Sequence, residues 1–414
     1  MSIRADIVVL GAGMVGVGAA LALQARGRDV VLVDRRGAAG CETSYGNAGL
    51  IERASVDLYT FPRDFVTIAR TILGLNSAAR VAWPELPWTA PWIARYFAES
   101  APRRAAAHAR AALPLIERCL GEHLALADAA GARSLIRQTG WIKAFRSERT
   151  LAAAGREARH IREFGLTFDA LDARALAAIE PDIKGFSGAI VYRDPASCVD
   201  PGGLAAAYAG LFAKRGGRLF SGDARTLDST PQGWNVRTDQ GPLAVREAVV
   251  ALGPWSDEIF RPLGYDIPLG IKRGYHMHYA PADGATLAHP LLDADGGFLL
   301  APMARGVRLT TGAEFARRAS APSPVQLDRV EPLARRTFPL GGRLDAQPWM
   351  GSRPCLPDLL PVIGPAPRHS GLWFDFGHQH HGFTLGPVTG RLLAEMMTGE
   401  APFTDPAPYR VDRF

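Results

Sequence analysis

An α+β fold of two domains, one of them an α/β unit, is predicted by three observations. The chain opens on a strand, a glycine-rich turn, a helix and a second strand, in that order. The stretch from Asp57 to Ala170 carries the spacing of amphipathic helices. From Leu269 to about Phe315, alternating runs such as YHMHY and VRLTTG read as an antiparallel sheet.

The first element is the apolar run Ala5 to Leu10, ADIVVL. It leads into Gly11-Ala12-Gly13-Met14-Val15-Gly16, a GxGxxG, and a helical stretch follows to Arg26. A second apolar strand, Asp29 to Val33, ends at Asp34. Gly11 makes the tight turn, Gly13 lets the backbone approach a pyrophosphate, and Gly16 lets helix and strand pack closely. The helix N-terminus offers free N–H groups and partial positive charge to phosphates. Asp34 is placed to accept hydrogen bonds from ribose hydroxyls. A bland glycine-rich turn is the alternative, but strand, helix and acid around the motif favour a Rossmann-like dinucleotide site.

The segment after Asp34 reads RRGAAGCETSYGNAGLI. Its Thr43, Ser44, Asn47, Ala48, Gly49 and Ile51 resemble the loop that passes the flavin ring in the FAD-dependent amine oxidoreductases of the D-amino acid oxidase and glycine oxidase superfamily. Small residues suit a loop lying against a flat ring. Arg35 and Arg36 raise a 2′-phosphate, hence NADP, as an alternative; the Asp34 carboxylate beside such a phosphate argues against it. Val249 to Ser256, VVALGPWS, is similar to the strand end near the pyrophosphate in that family. The run RPCLPDLLPVIGP from Arg353, then GLWFDFGHQHHGFTLGPVTGRLLAEMMTG and the closing Asp412-Arg413-Phe414, resemble the ends of D-amino acid dehydrogenases. The match covers nearly the whole chain in family order. His380, His381 and Gly386-Pro387 depart from the pattern.

The resemblance implies non-covalent FAD. The cofactor residues would be Gly11, Ala12, Gly13, Met14, Val15, Gly16, Asp34, Arg35, Arg36, Ser44, Asn47, Ala48, Gly49 and Ile51. Further along they would be Ala224, Ala251, Gly253, Trp255, Gly382, Phe383, Thr384 and Leu385. It also implies interleaved domains: 1–55, 196–265 and 346–414 for FAD, and 56–195 and 266–345 for the substrate, the latter an antiparallel mixed sheet with helices.

At 414 residues the chain is long enough for two domains, and its 47% hydrophobic and 21% charged content is ordinary for a globular protein. The net charge of +6 suits an anionic cofactor, carboxylate substrates or an anionic membrane surface. No dense Lys/Arg run with interleaved aromatics points to nucleic acid. Cys41, Cys119, Cys198 and Cys355 are far apart, without metal-ligand spacing, and fit a reduced cytoplasm. No signal peptide and no apolar stretch of the ~18 residues needed to span a membrane is read.

Between the motifs, Ala106 to Ala130 reads as helix, and Thr139 to Phe145 and Gly188 to Tyr192 as strands. Asp200-Pro201-Gly202-Gly203 opens a helix that stops near Arg215-Gly216-Gly217, and a strand begins at Arg218. Trp234 to Thr238 and Leu243 to Val245 suggest a β-meander. The segment from Phe61 to Phe97 is aromatic and apolar with scattered arginines. It reads as a buried cap around the pocket, with a surface resting on a bilayer as the alternative; its prolines break any long amphipathic helix.

The chemistry implied by the resemblance is oxidation of the carbon–nitrogen bond of a D-amino acid, or of a cyclic D-imino acid such as D-proline or hydroxy-D-proline. A hydride passes from the α-carbon to flavin N5 and on to a quinone, a soluble carrier or oxygen. An oxygen-dependent oxidase of glycine, sarcosine or another secondary amine is the second reading, and a silent flavin-binding subunit the third. Arg353 is expected to clamp the carboxylate through its guanidinium fork; the alternative is a structural arginine tying Asp358 or a helix end. Tyr275 is favoured for an added hydrogen bond to the carboxylate. By alternation Tyr275, Met277 and Tyr279 share one face and His276 and His278 the other, so both sets cannot line one pocket. His378 and His380 are candidates to touch the flavin edge or take the ammonium proton, against a packing role; no metal set is read among them. A helix beginning near Pro387 would aim its positive N-terminus at the flavin.

Overall fold

The computed structural model describes residues 3–74 and 76–414, so the first two residues of the expected 1–55 segment lie outside it. The first strand, Ile3–Leu10, lies between Val30–Asp34 and Gly241–Val250 and runs parallel to both. Arg218 to Ser221 adds a parallel strand outside Val30–Asp34, and Leu372–Phe376 does so on the far side. Ile7, Val8, Val9 and Leu10 are all fully buried, because a parallel sheet is covered on both faces and needs apolar residues on each.

One cover is made by two helices, Met14–Gln24 and Gly382–Thr398, which cross very closely. A Cβ on Gly386 would stand 2.8 Å from the Met14 backbone, and one on Gly390 would stand 2.4 Å from the Ala19 nitrogen. The departure from the family pattern at Gly386 therefore falls where no side chain fits.

The second sheet is built on the strand Gly270–Pro281. Gly306–Thr311, Ala313–Phe315, Leu340–Arg343 and Trp349–Cys355 all pair antiparallel with it. Through Phe298–Met303 and Leu291–Asp293 the sheet continues to Trp141–Phe145, Gly188–Tyr192 and Phe168–Asp172, so strands from before residue 195 and after residue 265 share one layer. Trp349–Cys355, expected in the cofactor segment 346–414, belongs to this second sheet.

Three expectations are corrected. The C-terminal helix starts at Gly382, five residues before Pro387. Pro387 has no N–H to give the Phe383 carbonyl, and that carbonyl instead accepts a 2.8 Å hydrogen bond from Nε2 of the buried His123. Secondly, the expected meander of Trp234 to Thr238 with Leu243 to Val245 is present but larger, because the strand from Arg218 runs on to Thr230 and joins it. Thirdly, the segment expected as a buried cap contains helices Phe65–Ile72 and Leu86–Glu99 and is only partly buried: Tyr96, with Phe61, Trp92 and Ile93, packs on Phe315, while other apolar side chains lie outside. Phe65 is 83% exposed and Leu73 70%, and Val66, Trp83 and Trp88 are also exposed. No helix among the described residues is long and apolar enough to cross a membrane.

Candidate active site

A cavity of about 840 Å³ runs between the two sheets. Of the residues expected around a cofactor, Gly11, Ala12, Gly13, Met14, Val15, Asp34, Arg35, Ser44, Asn47, Ala48, Ala224, Ala251, Gly253, Trp255, Gly382 and Phe383 line it. Six do not. Gly16 packs on Gly11, Gly49 on the Cys198 carbonyl, and Ile51 and Leu385 lie in the core. Arg36 is exposed and paired with Glu42, and the Thr384 hydroxyl donates to the Leu50 carbonyl.

The N-terminal end of the cavity is built for an adenosine diphosphate. A Cβ on Gly13 would meet only Ser44 Oγ, at 3.4 Å, so the protein alone leaves room for a side chain there. The demand for glycine comes from whatever fills the cavity, as a pyrophosphate would. The Met14 N–H donates to Ser44 Oγ at 3.0 Å, tying the loop to the first turn of the helix. Asp34 accepts from the Ala12 and Arg36 amides, both at 2.9 Å. Arg35 and Arg36 both pair with Glu42, and Arg35 also stacks on Trp255 at 4.2 Å. Neither arginine is held open for a 2′-phosphate. At the opposite wall Gly382 and Phe383 begin the C-terminal helix, whose first amides have no acceptor within the helix. These features fit FAD.

The other end of the cavity is set by the pairing of Gly270–Pro281 with Trp349–Cys355. Lys272 faces Arg353, Gly274 faces Gly351 and His276 faces Trp349 across this pair, so these six share one face of the sheet. Arg353 lies over Gly274, where a Cβ would stand 2.7 Å from Nη2. Among the described residues its guanidinium makes only long hydrogen bonds, 3.4 Å, to the Arg273 and Gly312 carbonyls, and it has no carboxylate partner. Burial lowers its pKa. Asp358, the alternative partner, is taken by Arg413 at 2.6 Å. Lys272 is buried, its Nζ 3.8 Å from the centre of the Tyr96 ring, and burial brings its pKa down to about 8.

Tyr275, the other residue expected at the carboxylate, also borders the cavity, but its hydroxyl is engaged within the protein. Its hydroxyl donates to Glu314 Oε2 at 2.8 Å and accepts from the Ser323 N–H at 2.8 Å, on the sheet face away from Arg353. Glu314 is fully buried and also binds Arg273 and Arg80, so the tyrosine closes a structural network. The alternation holds: His276 shares the Arg353 face, and Tyr275 sends its hydroxyl to the other. His276 stacks on Trp349 at 4.8 Å, and neither ring nitrogen has a partner among the described residues. Burial drives its pKa to about 2, so the ring is neutral.

His378 and His380 both line the cavity. His378 Nε2 is 3.0 Å from Thr389 Oγ1 and 3.3 Å from Asp375 Oδ1, which fixes the ring. His380 meets the Tyr59 ring edge to face at 4.6 Å, and its Nε2 has no partner among the described residues. Burial and the nearby His381, Arg353 and Lys272 hold its pKa well below the usual value. Among the described residues no three His, Cys, Asp or Glu side chains are grouped to hold a metal ion.

Glu52 is one of the cavity residues that sequence reading passed over. It directly follows Leu50–Ile51, its amide donates to Thr384 Oγ1 at 3.3 Å, and its carboxyl group lines the cavity with no partner among the described residues.

Three comparisons bear on this geometry. The family model for FAD dependent oxidoreductases matches residues 6–396. A D-amino acid dehydrogenase 2 of Mesorhizobium japonicum is 30% identical over 97% of this chain and 98% of its own. A D-amino-acid oxidase of Bradyrhizobium diazoefficiens is 29% identical over 99% of this chain and 98% of its own. Among solved structures, the glycine oxidase of Geobacillus kaustophilus superposes with a TM-score of 0.76 at 21% identity, covering 100% of both chains. The L-proline dehydrogenase of P. horikoshii gives 0.74 at 18%, covering 100% of this chain and 98% of its own. The nucleotide turn, the cavity behind it and a family match over nearly the full length agree: the chain belongs to the FAD dependent oxidoreductase family.

Proposed function

We propose that this FAD-dependent enzyme oxidises the α-carbon–nitrogen bond of a D-amino acid or cyclic D-imino acid, and that Arg353 binds the substrate carboxylate. The observation that carries the reading is the buried guanidinium with no carboxylate of its own, facing the cavity. Burying an unpaired cation is costly, and an incoming carboxylate removes the cost through two parallel charge-assisted hydrogen bonds. The relatives named as D-amino acid dehydrogenases and oxidase favour the D-series. Bound FAD supplies a hydride acceptor at N5; Gly11 to Val15, Asp34, Ser44 and the start of the C-terminal helix would hold it. His378, fixed by Thr389 and Asp375, keeps the loop before that helix in place, and His380 closes the carboxylate end as a neutral ring.

Anaerobic mixing of the purified holoenzyme with a panel of D- and L-amino acids tests the reading. Bleaching of the flavin by D-amino or D-imino acids is expected, and bleaching only by L-amino acids, or by none, overturns it.

For the acceptor, we infer a quinone or other carrier rather than oxygen. The support is the exposed apolar surface around Phe65, Val66 and Leu73, with Arg63 and Arg70 in the same segment, which suits contact with an anionic bilayer. A dye or quinone should reoxidise the reduced enzyme much faster than air-saturated buffer. Stoichiometric hydrogen peroxide at the dye-linked rate would make the oxidase reading correct.

A further inference from the structure

Resting on that reading, we propose that the Glu52 carboxylate receives the α-ammonium group of the substrate and takes its proton. Glu52 lies at the end of the loop that lines the cavity from Ser44 onward, and its backbone is clamped by Thr384 at the start of the C-terminal helix. The residue is only 7% exposed, and it lines the cavity. A buried charge without a partner is unstable on its own, so the site is complementary to a cation that arrives from outside.

Among the described residues no Lys, Arg or His forms an ion pair with Glu52, although the charge of Arg53 also reaches Cys119. Tyr59 from the following loop, Tyr192 from the strand Gly188–Tyr192 and Cys119 from the helix Pro102–Ala129 feel the negative charge of Glu52. Arg53, next in the chain, turns to a separate cleft bordered by Glu117 and Asp194. Tyr59 also packs on His380, and His380 feels the charge of Arg353. Carboxylate and guanidinium are thus at the same end of one cavity, a cation site and an anion site for the two halves of a zwitterion.

The proton balance is simple. One N–H bond of the ammonium breaks, one O–H bond forms on Glu52, and a neutral amine remains. Its lone pair then forms the carbon–nitrogen double bond as the α-carbon loses its hydrogen with the C–H electron pair to FAD. Burial lifts the Glu52 pKa to about 7. Below that pH the carboxyl already holds a proton and cannot accept another, so flavin reduction should slow as pH falls through this range.

The test uses the holoenzyme and Glu52→Gln and Glu52→Asp variants. Anaerobic reduction by a D-amino acid that bleaches the parent is followed from roughly pH 5 to pH 9, and propionate, a carboxylate without an amine, is titrated by its shift of the flavin spectrum. Glu52→Gln should slow reduction by about a hundredfold and lose the pH dependence near neutrality. Glu52→Asp should restore part of the rate, with propionate binding unchanged in both. A Glu52→Gln enzyme with parental rates and pH profile overturns the proposal. So does an effect confined to substrates with basic side chains, or loss of propionate binding together with FAD. A parent enzyme that no amino acid bleaches overturns the functional reading itself, whereas loss of the propionate shift in Arg353→Ala alone supports it.

Discussion

Gly274 lies directly beneath the Arg353 guanidinium, and a Cβ at that position would come within 2.7 Å of Nη2 and 2.9 Å of Nη1. The end of a flexible side chain can move to relieve the contact, so Gly274→Ala should fold and bind FAD. It should instead misplace the fork. The apparent substrate constant or the reduction rate should worsen by about tenfold to a hundredfold, as expected for a displacement near 1 Å. Steady-state kinetics beside an unchanged flavin spectrum check this.

Arg353→Lys keeps the charge and loses the planar fork. It should weaken substrate binding while FAD stays in place. Arg353→Ala should cost several kcal/mol of transition-state stabilisation, on the order of that for a buried charge-assisted pair. Near-parental kcat/KM for a carboxylate substrate in the alanine variant would refute the role of the arginine.

Gly13→Val tests the cofactor cradle. The protein leaves this position open, so the substitution should preserve the fold. Its side chain would enter the space that a pyrophosphate needs. The expected product is a folded, colourless protein by circular dichroism and absorption. A yellow variant with normal flavin content would count against the placement.

Tyr275→Phe separates structure from catalysis. It removes the hydroxyl that joins Glu314 to the Ser323 amide, so stability should drop by about 1–3 kcal/mol. Rates of flavin reduction at saturating substrate should be unaffected. A large loss of rate with unchanged unfolding midpoint would return the tyrosine to the active site.

His123 predicts an acid limit to stability. It is fully buried between Tyr208 and the Phe383 carbonyl, and burial lowers its pKa from 6.5 to about 4. Between those values the unfolded chain binds a proton that the folded chain does not. Stability is therefore complete above about pH 6.5 and is lost as pH falls toward 4, by about 3 kcal/mol in all. Unfolding midpoints measured across this window should fall steeply for the parent and less steeply for His123→Gln.

The first strand, the GxGxxG turn, the helix and Asp34 were legible in the sequence because each is set by residues adjacent in the chain. So was the alternation of Tyr275 and His276, since a strand must send neighbouring side chains to opposite faces. Which side chains of that strand stay free for a ligand was not legible. Glu314, 39 residues further on, claims the Tyr275 hydroxyl, and Arg353, brought opposite Lys272 by sheet pairing, claims the other face. The start of the C-terminal helix depended likewise on His123, 260 residues before Phe383, to satisfy the carbonyl that Pro387 leaves open. The composition of the Phe61 to Phe97 segment does not say whether its aromatics find a partner surface; here many of them face outward. Glu52 was hidden for the same reason. An acid in a sequence carries no record of its burial, and only the packing of Tyr59, Tyr192 and the C-terminal helix around it leaves that carboxyl unpaired in the cavity. Local sequence determined the backbone units, and long-range packing decided which polar groups were satisfied within the protein and which remained free for a ligand.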